Sequence, residues 1–212
     1  MKYKDLAITD YIEQAASASA TPGGGSVSAV IAALGAALGQ MVYNLTVTKK
    51  SYQANDESVK AAVQSDWRAI EKLQGEFLEL IDRDIDAFNL YMDALALPKE
   101  TDEEKAARKE ALAKASIIAM EVPLETSGKA LELLRHLGSI ARYGHKNCIS
   151  DAGVAALSAH AALQASVMNV RINLGGIDDK AISEQAEKTC AAYIEESAVL
   201  TKEIIDIVYA MI

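Results

Sequence analysis

The sequence is poor in the residues that cross-link or stiffen a fold. Its 212 residues include two cysteines, three prolines and only 5% aromatic side chains. Cys148 and Cys190 give neither a disulfide framework nor a metal-ligand spacing. The apolar half of the chain is mainly Ala, Leu, Ile and Val, which suits closely packed helices, since strands favour aromatic and β-branched residues. A chain of this length buries a sizeable core as a single domain, 1–212, without disulfides or metals.

Positive charge is also scarce. The chain has 21 Lys and Arg against 30 Asp and Glu, a net charge of −9. This balance argues against nucleic acid and against an anionic membrane as partners, because both require basic patches. The first ten residues carry charges and no apolar core, so we predict no signal peptide and a cytoplasmic location. The uncharged stretch 14–48 is long enough to span a membrane, but its Ala, Gly and Ser content favours a buried helix of a soluble bundle.

Helical patterns cover nearly the whole chain, and no strand is indicated. Short connections between long helices make neighbours antiparallel, so the sequence predicts an all-α, up-and-down bundle of about six long helices. Ser26 is the expected N-cap of the second helix, and a Thr101–Glu104 capping box opens the fourth, in which Pro123 predicts a kink or a break. The predicted helices run from about 4 to 18, 26 to 48, 56 to 97, 101 to 143, 150 to 174, and 178 to the C-terminus.

The second and fifth predicted helices are apolar nearly all round. The fifth has only His160 as a titratable group between Val154 and Val170. On the second, Gly35 and Gly39 lie one turn apart and allow another helix to approach closely. A bundle of this size encloses one fully buried helix more easily than two. We therefore expect another subunit to cover part of this surface, most simply in a homodimer.

One carboxylate interrupts the apolar face of the third helix. Asp84 lies four residues from both Leu80 and Phe88, whereas Asp82 and Asp86 point roughly to the opposite side. Burial raises the pKa of a carboxyl group, as a general acid or base near neutral pH requires. The alternative is a structural Asp paired with a lysine or a helix N-terminus. The apolar stripe itself consists of Val63, Trp67, Ile70, Phe77, Leu80, Ile81, Phe88, Tyr91 and Leu95.

Two further polar groups are candidate ligand sites. A glycine run leads into the second helix and presents unpaired N–H groups suited to a carboxylate or another oxyanion, although a flexible turn with an N-cap is the common alternative. Asn169 and Asn173 lie on one face of the fifth helix, where either a ligand or the bundle itself satisfies their amides. Lys49 closes the second helix, where it fits the helix dipole or meets an anionic tail. His145 and His160 lack Cys, Asp or Glu at metal-ligand spacing, so no metal site is predicted.

Seven motifs follow one another along the chain in a distinctive order. They are Pro22-Gly23-Gly24-Gly25-Ser26, Asp82-Arg83-Asp84, Ala87-Phe88, Leu97-Pro98-Lys99 with Glu104, Lys105 and Arg108, Val122-Pro123-Leu124, Ser150-Asp151, and Asn169-Val170-Arg171-Ile172-Asn173-Leu174. Together they resemble the cyclodeaminase/cyclohydrolase family, the C-terminal half of formiminotransferase-cyclodeaminase and its stand-alone bacterial relatives. The resemblance covers almost the whole chain. One departure is His145, where the family usually has Asn after Gly.

The resemblance implies a dimer of helical bundles that acts on a tetrahydrofolate derivative, with no metal and no bound cofactor. It puts the family's catalytic aspartate at Asp84, the residue that the apolar stripe also singles out. The residues that we assign to substrate binding are Gly23, Gly24, Gly25, Ser26, Asp82, Lys49, Asp151, Asn169 and Asn173. In this arrangement the glycine amides and the two asparagines hold the pterin or the glutamate tail.

Family members carry out one of two reactions on the one-carbon group. Some hydrolyse methenyl- to 10-formyl-tetrahydrofolate, and others close formimino- to methenyl-tetrahydrofolate with loss of ammonia. Because no transferase half is attached to supply a formimino substrate, we expect a methenyltetrahydrofolate cyclohydrolase. The alternatives are a formiminotetrahydrofolate cyclodeaminase and a non-catalytic folate-binding helical dimer.

Overall fold

The computed structural model describes residues 2–212, which form helices and no strand. The all-α prediction is therefore confirmed, with seven α-helices in place of about six. The helices are α1 (Ile8–Ala15), α2 (Gly24–Thr46), α3 (Lys50–Gln53), α4 (Glu57–Ala96), α5 (Asp102–Tyr143), α6 (Ile149–Leu174) and α7 (Lys180–Met211). Two short 3-10 helices, Tyr3–Asp5 and Lys146–Cys148, precede α1 and α6.

Four long helices enclose the core and a fifth covers one side. Helix α2 packs against α4 and α6, and α5 packs against the same two helices. Helix α7 lies on α5 and α6. Because consecutive long helices are joined by short connections, neighbours run antiparallel. The start of α2, the late turns of α4, the early turns of α5 and the end of α6 therefore meet at one end of the bundle.

Glycines set the closest helix contacts. A Cβ on Gly35 would lie 3.0 Å from the carbonyl oxygen of Ala155, so α2 and α6 approach backbone to backbone there. A Cβ on Gly39 would lie 2.6 Å from Leu137 of α5. The expected close approach at these two positions is thus present, and it involves two different partner helices.

Several helix ends follow the sequence prediction. The capping box is formed: Glu104 N–H donates to Thr101 Oγ1 at 3.2 Å, and Thr101 N–H donates to Glu104 Oε2 at 3.0 Å. Helix α6 ends at Leu174, directly before the Gly175-Gly176 pair. The capping box and the glycine stop were therefore sufficient to define these ends.

Other boundaries correct the prediction. The single first helix predicted for 4–18 is a 3-10 turn followed by α1, and α3 is a separate short helix that the pattern did not separate from its neighbours. Of the kink or break predicted at Pro123, the break is absent, because helix α5 continues through this residue, and the kink stays a prediction. Helix α7 begins at Lys180, because Asp179 accepts the Ala181 and Ile182 N–H groups as its N-cap.

The predicted N-cap of the second helix was wrong. Helix α2 begins at Gly24 with Gly23 as N-cap, and Ser26 lies inside the first turn, fully buried. Ser26 cannot act as the cap because its own N–H and hydroxyl are bonded to other elements, as described below.

Among residues 2–212, one helix is long and apolar enough to cross a membrane. This helix is α2, and 56% of its most apolar stretch is buried inside the bundle. The core helix of a soluble protein has the same properties, so the observation is weak evidence for a membrane span.

Candidate active site

Asp84 of α4 binds the N-terminus of α2. The Ser26 N–H donates to Asp84 Oδ2 at 2.8 Å. The first N–H groups of a helix have no partner within that helix, and the N-terminal end carries partial positive charge, so a carboxylate is stabilised there. The structural alternative considered for Asp84, a bond to a helix N-terminus, is therefore present. It does not exclude chemistry, because the same carboxyl group also faces a cavity.

Two glycines make room for the side chains that meet this helix start. A Cβ on Gly25 would lie 2.0 Å from Asp84 Oδ1, a distance that no real side chain tolerates. A Cβ on Gly24 would lie 3.2 Å from both terminal atoms of the Asn169 amide. Gly25 is thus required by the close approach of the Asp84 carboxylate, and a side chain at Gly24 would make the Asn169 amide shift by a few tenths of an ångström.

The environment of Asp84 favours its protonated form. Burial raises the pKa of the Asp84 carboxyl, and the hydrogen bond from the Ser26 N–H opposes this effect without cancelling it. Within residues 2–212, Asp84 forms no ion pair that would restore a low pKa. The net result is a pKa above the usual value, which brings the carboxyl closer to the range of a general acid or base.

The N-terminal segment packs onto the same region. The hydroxyl groups of Tyr11 and Ser26 are 2.8 Å apart and share a buried hydrogen bond. The Tyr3 N–H donates to Asp82 Oδ1 at 2.7 Å, and Lys4 pairs with Glu79. Burial and the proximity of Asp84 raise the pKa of the Tyr11 phenol. Tyr11, Ser26 and Asp84 therefore form a connected chain of contacts that ends at the carboxyl group.

A cavity of about 390 Å³ opens in front of Asp84. Its walls come from the segment before α2, from α4, from α5 and from the end of α6. The lining residues are Ala20, Thr21, Gly23, Gly24, Gly25, Asp84, Ala87, Phe88, Tyr91, Ser116, Ala119, Asn169, Ile172, Asn173 and Gly176. Aromatic and apolar walls with a few polar groups are typical of sites for flat organic ligands.

The two asparagines are only partly satisfied by the protein. The Asn169 side-chain amide donates to the Ala165 carbonyl at 2.8 Å, and that of Asn173 donates to the Ala119 carbonyl at 2.6 Å. These bonds use the amide nitrogens and orient both side chains along the cavity wall. Each amide can still accept through Oδ1 and donate a second N–H.

Four predicted binding residues lie outside the cavity lining, and one of them is Ser26, which lies behind it with its N–H on Asp84. Asp82 accepts the Tyr3 N–H, as described, and its Oδ2 is buried without a partner among the described residues. Lys49 follows the C-terminal end of α2, and Asp151 lies in the first turn of α6. Eighteen residues of α6 separate Asp151 from Asn169, roughly 27 Å along the helix. Their assignment to substrate binding stays a prediction.

His145, the departure from the family pattern, also lies far from Asp84. Its N–H donates to Thr46 Oγ1 at 2.8 Å, and its Nδ1 accepts the Asn147 N–H at 3.3 Å. The residue thus joins the connection between α5 and α6 to the C-terminal end of α2, at the opposite end of the bundle from the cavity.

Some residues in and behind the cavity wall were not assigned to the site from the sequence. Phe88 and Tyr91 were assigned to the apolar core stripe, but they line the cavity at the end of that stripe. Ser116 and Tyr11 were not singled out at all. Tyr11 lies on a short, mostly exposed helix, and no local pattern connects it to a helix start fifteen residues away. Within residues 2–212, no group of three or more His, Cys, Asp or Glu side chains is arranged to hold a metal ion.

Several known proteins have sequences similar to this chain. The formiminotransferase-cyclodeaminase family model matches residues 7–192. A methenyltetrahydrofolate cyclohydrolase from Methylorubrum extorquens is 38% identical over 95% of both chains. A formimidoyltransferase-cyclodeaminase from Gallus gallus is 35% identical over 84% of this chain, which corresponds to only 32% of that longer protein.

A solved structure is also similar over its full length. The crystal structure of formiminotetrahydrofolate cyclodeaminase from Thermotoga maritima aligns with a TM-score of 0.85 and 27% sequence identity. The alignment covers 99% of this chain and 98% of that one. The sequence match over most of the chain and the shared fold agree, and this chain belongs to the formiminotransferase-cyclodeaminase family.

Proposed function

We propose that this protein is a methenyltetrahydrofolate cyclohydrolase, with Asp84 as its general acid and base. The observation that carries the proposal is a carboxyl group with a raised pKa, fixed to a helix N-terminus at one wall of a cavity that has both apolar and polar walls. The reaction requires one proton to be taken from water and one to be given to a ring nitrogen. A carboxyl group in this environment is suited to both transfers.

The proposed steps begin with attack of water on the methenyl carbon. The Asp84 carboxylate takes a proton from the water while the oxygen bonds to carbon, which gives a neutral tetrahedral adduct. The bond from this carbon to N5 then breaks, and Asp84 returns its proton to N5. The hydroxyl group of the adduct releases its proton to solvent as the formyl C=O forms. One water is consumed, one proton is released, and Asp84 ends as a carboxylate.

The cavity walls suit the flat, polar part of a folate. Phe88 and Tyr91 offer aromatic surfaces for a fused ring, and base-like rings stack well on such surfaces. Asn169 and Asn173 retain acceptor and donor atoms for the ring's amide and amino groups. Binding of this kind leaves the Asp84 carboxyl group facing the reacting carbon.

A cyclodeaminase is the second candidate function. The full-length similarity to the Thermotoga maritima cyclodeaminase favours it, and ring closure with loss of ammonia uses the same proton transfers. The higher identity to a cyclohydrolase over 95% of both chains favours the first proposal. The similar formimidoyltransferase-cyclodeaminases include a further region, since this chain spans 32% to 36% of their length.

One assay separates these functions. Purified protein is mixed with methenyltetrahydrofolate, and loss of near-ultraviolet absorbance is compared with the spontaneous rate. In parallel, formiminotetrahydrofolate is supplied, and the gain of the same absorbance and the release of ammonia are followed. Acceleration of the first reaction alone supports the cyclohydrolase, and acceleration of the second makes the protein a cyclodeaminase. Tight folate binding without either reaction would mean a non-catalytic folate-binding protein.

We further propose that the protein is a homodimer and acts in the cytoplasm. Helices α2 and α6 pack against each other, and both expose large apolar side chains: Leu34 is 52% exposed, Leu157 54% and Met168 68%. Monomeric soluble proteins rarely expose apolar side chains as a continuous patch. Light scattering after size exclusion should give twice the mass of one chain. The L157E variant should shift the protein to the monomer mass, whereas V199E, on α7, should leave the dimer intact.

A further inference from the structure

A second cavity adjoins the one at Asp84. Its volume is about 450 Å³, and Gly176 lines both cavities. The second cavity is formed by the segment between α4 and α5, by the first turns of α5, and by the connection between α6 and α7. Nothing in the proposed hydrolysis uses this space, although the shared residue Gly176 places it next to the cavity at Asp84.

Cationic side chains outnumber carboxylates in the second cavity by four to two. Lys99, Lys105, Arg108 and Lys109 line it, together with two carboxylates, Asp178 and Asp179. Asp179 is already engaged as the N-cap of α7. Four positive side chains in one cavity are unusual for a chain with a net charge of −9. The local excess indicates a site for an anionic group, because complementary charge concentrates such ligands.

Three of the four cations, Lys99, Arg108 and Lys109, have no anionic partner among residues 2–212. Among residues 2–212, Lys99 and Lys109 form no ion pair, whereas Lys105 pairs with Asp102 at 3.1 Å. Arg108 donates through Nε and Nη2 to the Leu95 carbonyl, at 3.2 and 3.0 Å. These bonds hold the guanidinium at the end of α4. The cavity therefore combines one fixed cation with two lysines that are available to a ligand.

The side chains that α5 contributes to the two cavities change from charged to apolar toward Asp84. Lys105, Arg108 and Lys109 come first, then the apolar residues Leu112, Ala113 and Ile117. Ser116 and Ala119, which line the first cavity, lie beside and after them. Seven residues separate Lys109 from Ser116, about 10 Å along the helix. The surface thus passes from charged side chains to apolar ones and then to the cavity at Asp84.

We infer that the second cavity binds the carboxylates of the folate's glutamate tail, and so sets which end of the substrate reaches Asp84. This inference rests on the proposed function and extends it to the orientation of the substrate. A folate presents matching groups in the same order along its length. Anionic carboxylates come first, then a flat aminobenzoyl ring, and then the polar ring system that carries the reacting carbon. Lys99 and Lys109 bind the carboxylates, and Leu112, Ala113 and Ile117 contact the aminobenzoyl ring.

The test compares two substrates and two variants. The substrates are methenyltetrahydrofolate and methenyltetrahydropteroate, which has the same reacting end but lacks the glutamate. The test variant is Lys99→Gln with Lys109→Gln, which removes two charges that no internal ion pair uses. The control is Lys114→Gln, which removes an exposed charge of the same helix outside both cavities, one paired with Glu110 at 2.6 Å.

The double variant should raise KM for the glutamate-bearing substrate about five- to tenfold and leave its kcat unchanged, since exposed ion pairs contribute modestly. Its KM for the pteroate substrate should not change, and K114Q should change neither. For the wild-type protein, added salt should raise KM only for the glutamate-bearing substrate.

Three results would overturn the inference. Equal KM changes for both substrates would mean that the lysines act on the fold or on the reacting end. No change in KM and no difference in salt dependence would mean that the tail lies elsewhere. In both cases wild-type turnover would leave the proposed function standing. Absence of turnover with either substrate in the wild-type protein would remove the proposed function, and this inference with it.

Discussion

The Ser26 N–H donates to Asp84 Oδ2 across 2.8 Å, so a side chain 58 residues away in sequence caps helix α2. The same carboxyl group is the proposed acid and base. One residue therefore has a structural partner and a chemical role, and variants at this position must separate the two.

Replacing Asp84 by Asn should abolish most activity and retain the fold. The Asn side-chain oxygen can still accept the Ser26 N–H, so the helix start keeps its partner. Loss of the general acid and base should lower kcat by about 10²- to 10⁴-fold. Circular dichroism and thermal unfolding monitor the fold. The control is D86N, at an exposed Asp of the same helix, which should keep wild-type kcat. If D84N also kept wild-type kcat, Asp84 would not be the general acid and base.

Replacing Gly25 by Ala should move the Asp84 carboxyl away from its site. The new methyl would lie 2.0 Å from Oδ1, so either the carboxylate or the start of α2 must shift. Overpacking of this kind destabilises a fold by about 1–3 kcal/mol, and misplacement of a catalytic group lowers kcat by about 10²-fold. Urea unfolding and the hydrolysis assay measure the two effects.

The matched control for this variant is Gly75→Ala. Gly75 lies in the middle of α4 and is exposed, and a Cβ added there would meet no atom within 4 Å. Alanine at this position should stabilise the helix by about 0.5–1 kcal/mol with no change in kcat. If G25A and G75A changed the free energy of unfolding and kcat equally, the position of Asp84 would not depend on the missing side chain at Gly25.

Replacing Tyr11 by Phe should weaken the contacts that hold Ser26, the residue whose N–H binds Asp84. The variant removes the hydroxyl bonded to Ser26 Oγ at 2.8 Å and leaves the serine hydroxyl buried without that partner. An unsatisfied group of this kind costs about 1–3 kcal/mol of folding stability. If Ser26 positions Asp84, kcat should also fall several-fold while KM stays constant. Y209F, at an exposed tyrosine of α7, should change neither quantity.

The residues of this site could be predicted from the sequence better than the contacts between them. Asp84 could be found because its spacing from Leu80 and Phe88 put a carboxylate on an apolar helix face. The glycine run and the asparagine pair could be found because such groups require partners. Each signal depends on neighbours within one helix, and helix periodicity reports those neighbours directly.

The contacts between helices could not be predicted in the same way. Ser26 was expected to cap α2, yet its N–H bonds to Asp84 and its hydroxyl to Tyr11. A local rule assigns a cap from the nearest polar side chain, and here a carboxylate from another helix takes that place. The role of Lys99 and Lys109 likewise depends on how the start of α5 packs beside the end of α6.

The raised pKa of Asp84 predicts a specific dependence of stability on pH. The group is more protonated in the folded than in the unfolded chain at any pH between its unfolded value, near 3.8, and its higher folded pKa. Folding stability from this group is therefore greatest below 3.8, falls as pH rises through this window, and is constant above the folded pKa. The D84N variant lacks the group and should lack this contribution.

The measurement is urea unfolding of both proteins at a series of pH values. Carboxylates with lowered pKa, such as Glu76 beside Lys129, have the opposite dependence, but they are common to both proteins and cancel in the difference. The free energy of unfolding of D84N minus that of the wild type should rise with pH through the window and then level off. In the same pH range, wild-type kcat/KM should rise as the Asp84 carboxylate forms. A stability difference that does not vary with pH would show that Asp84 is ionised at its ordinary value, and the case for it as the proton carrier would fail.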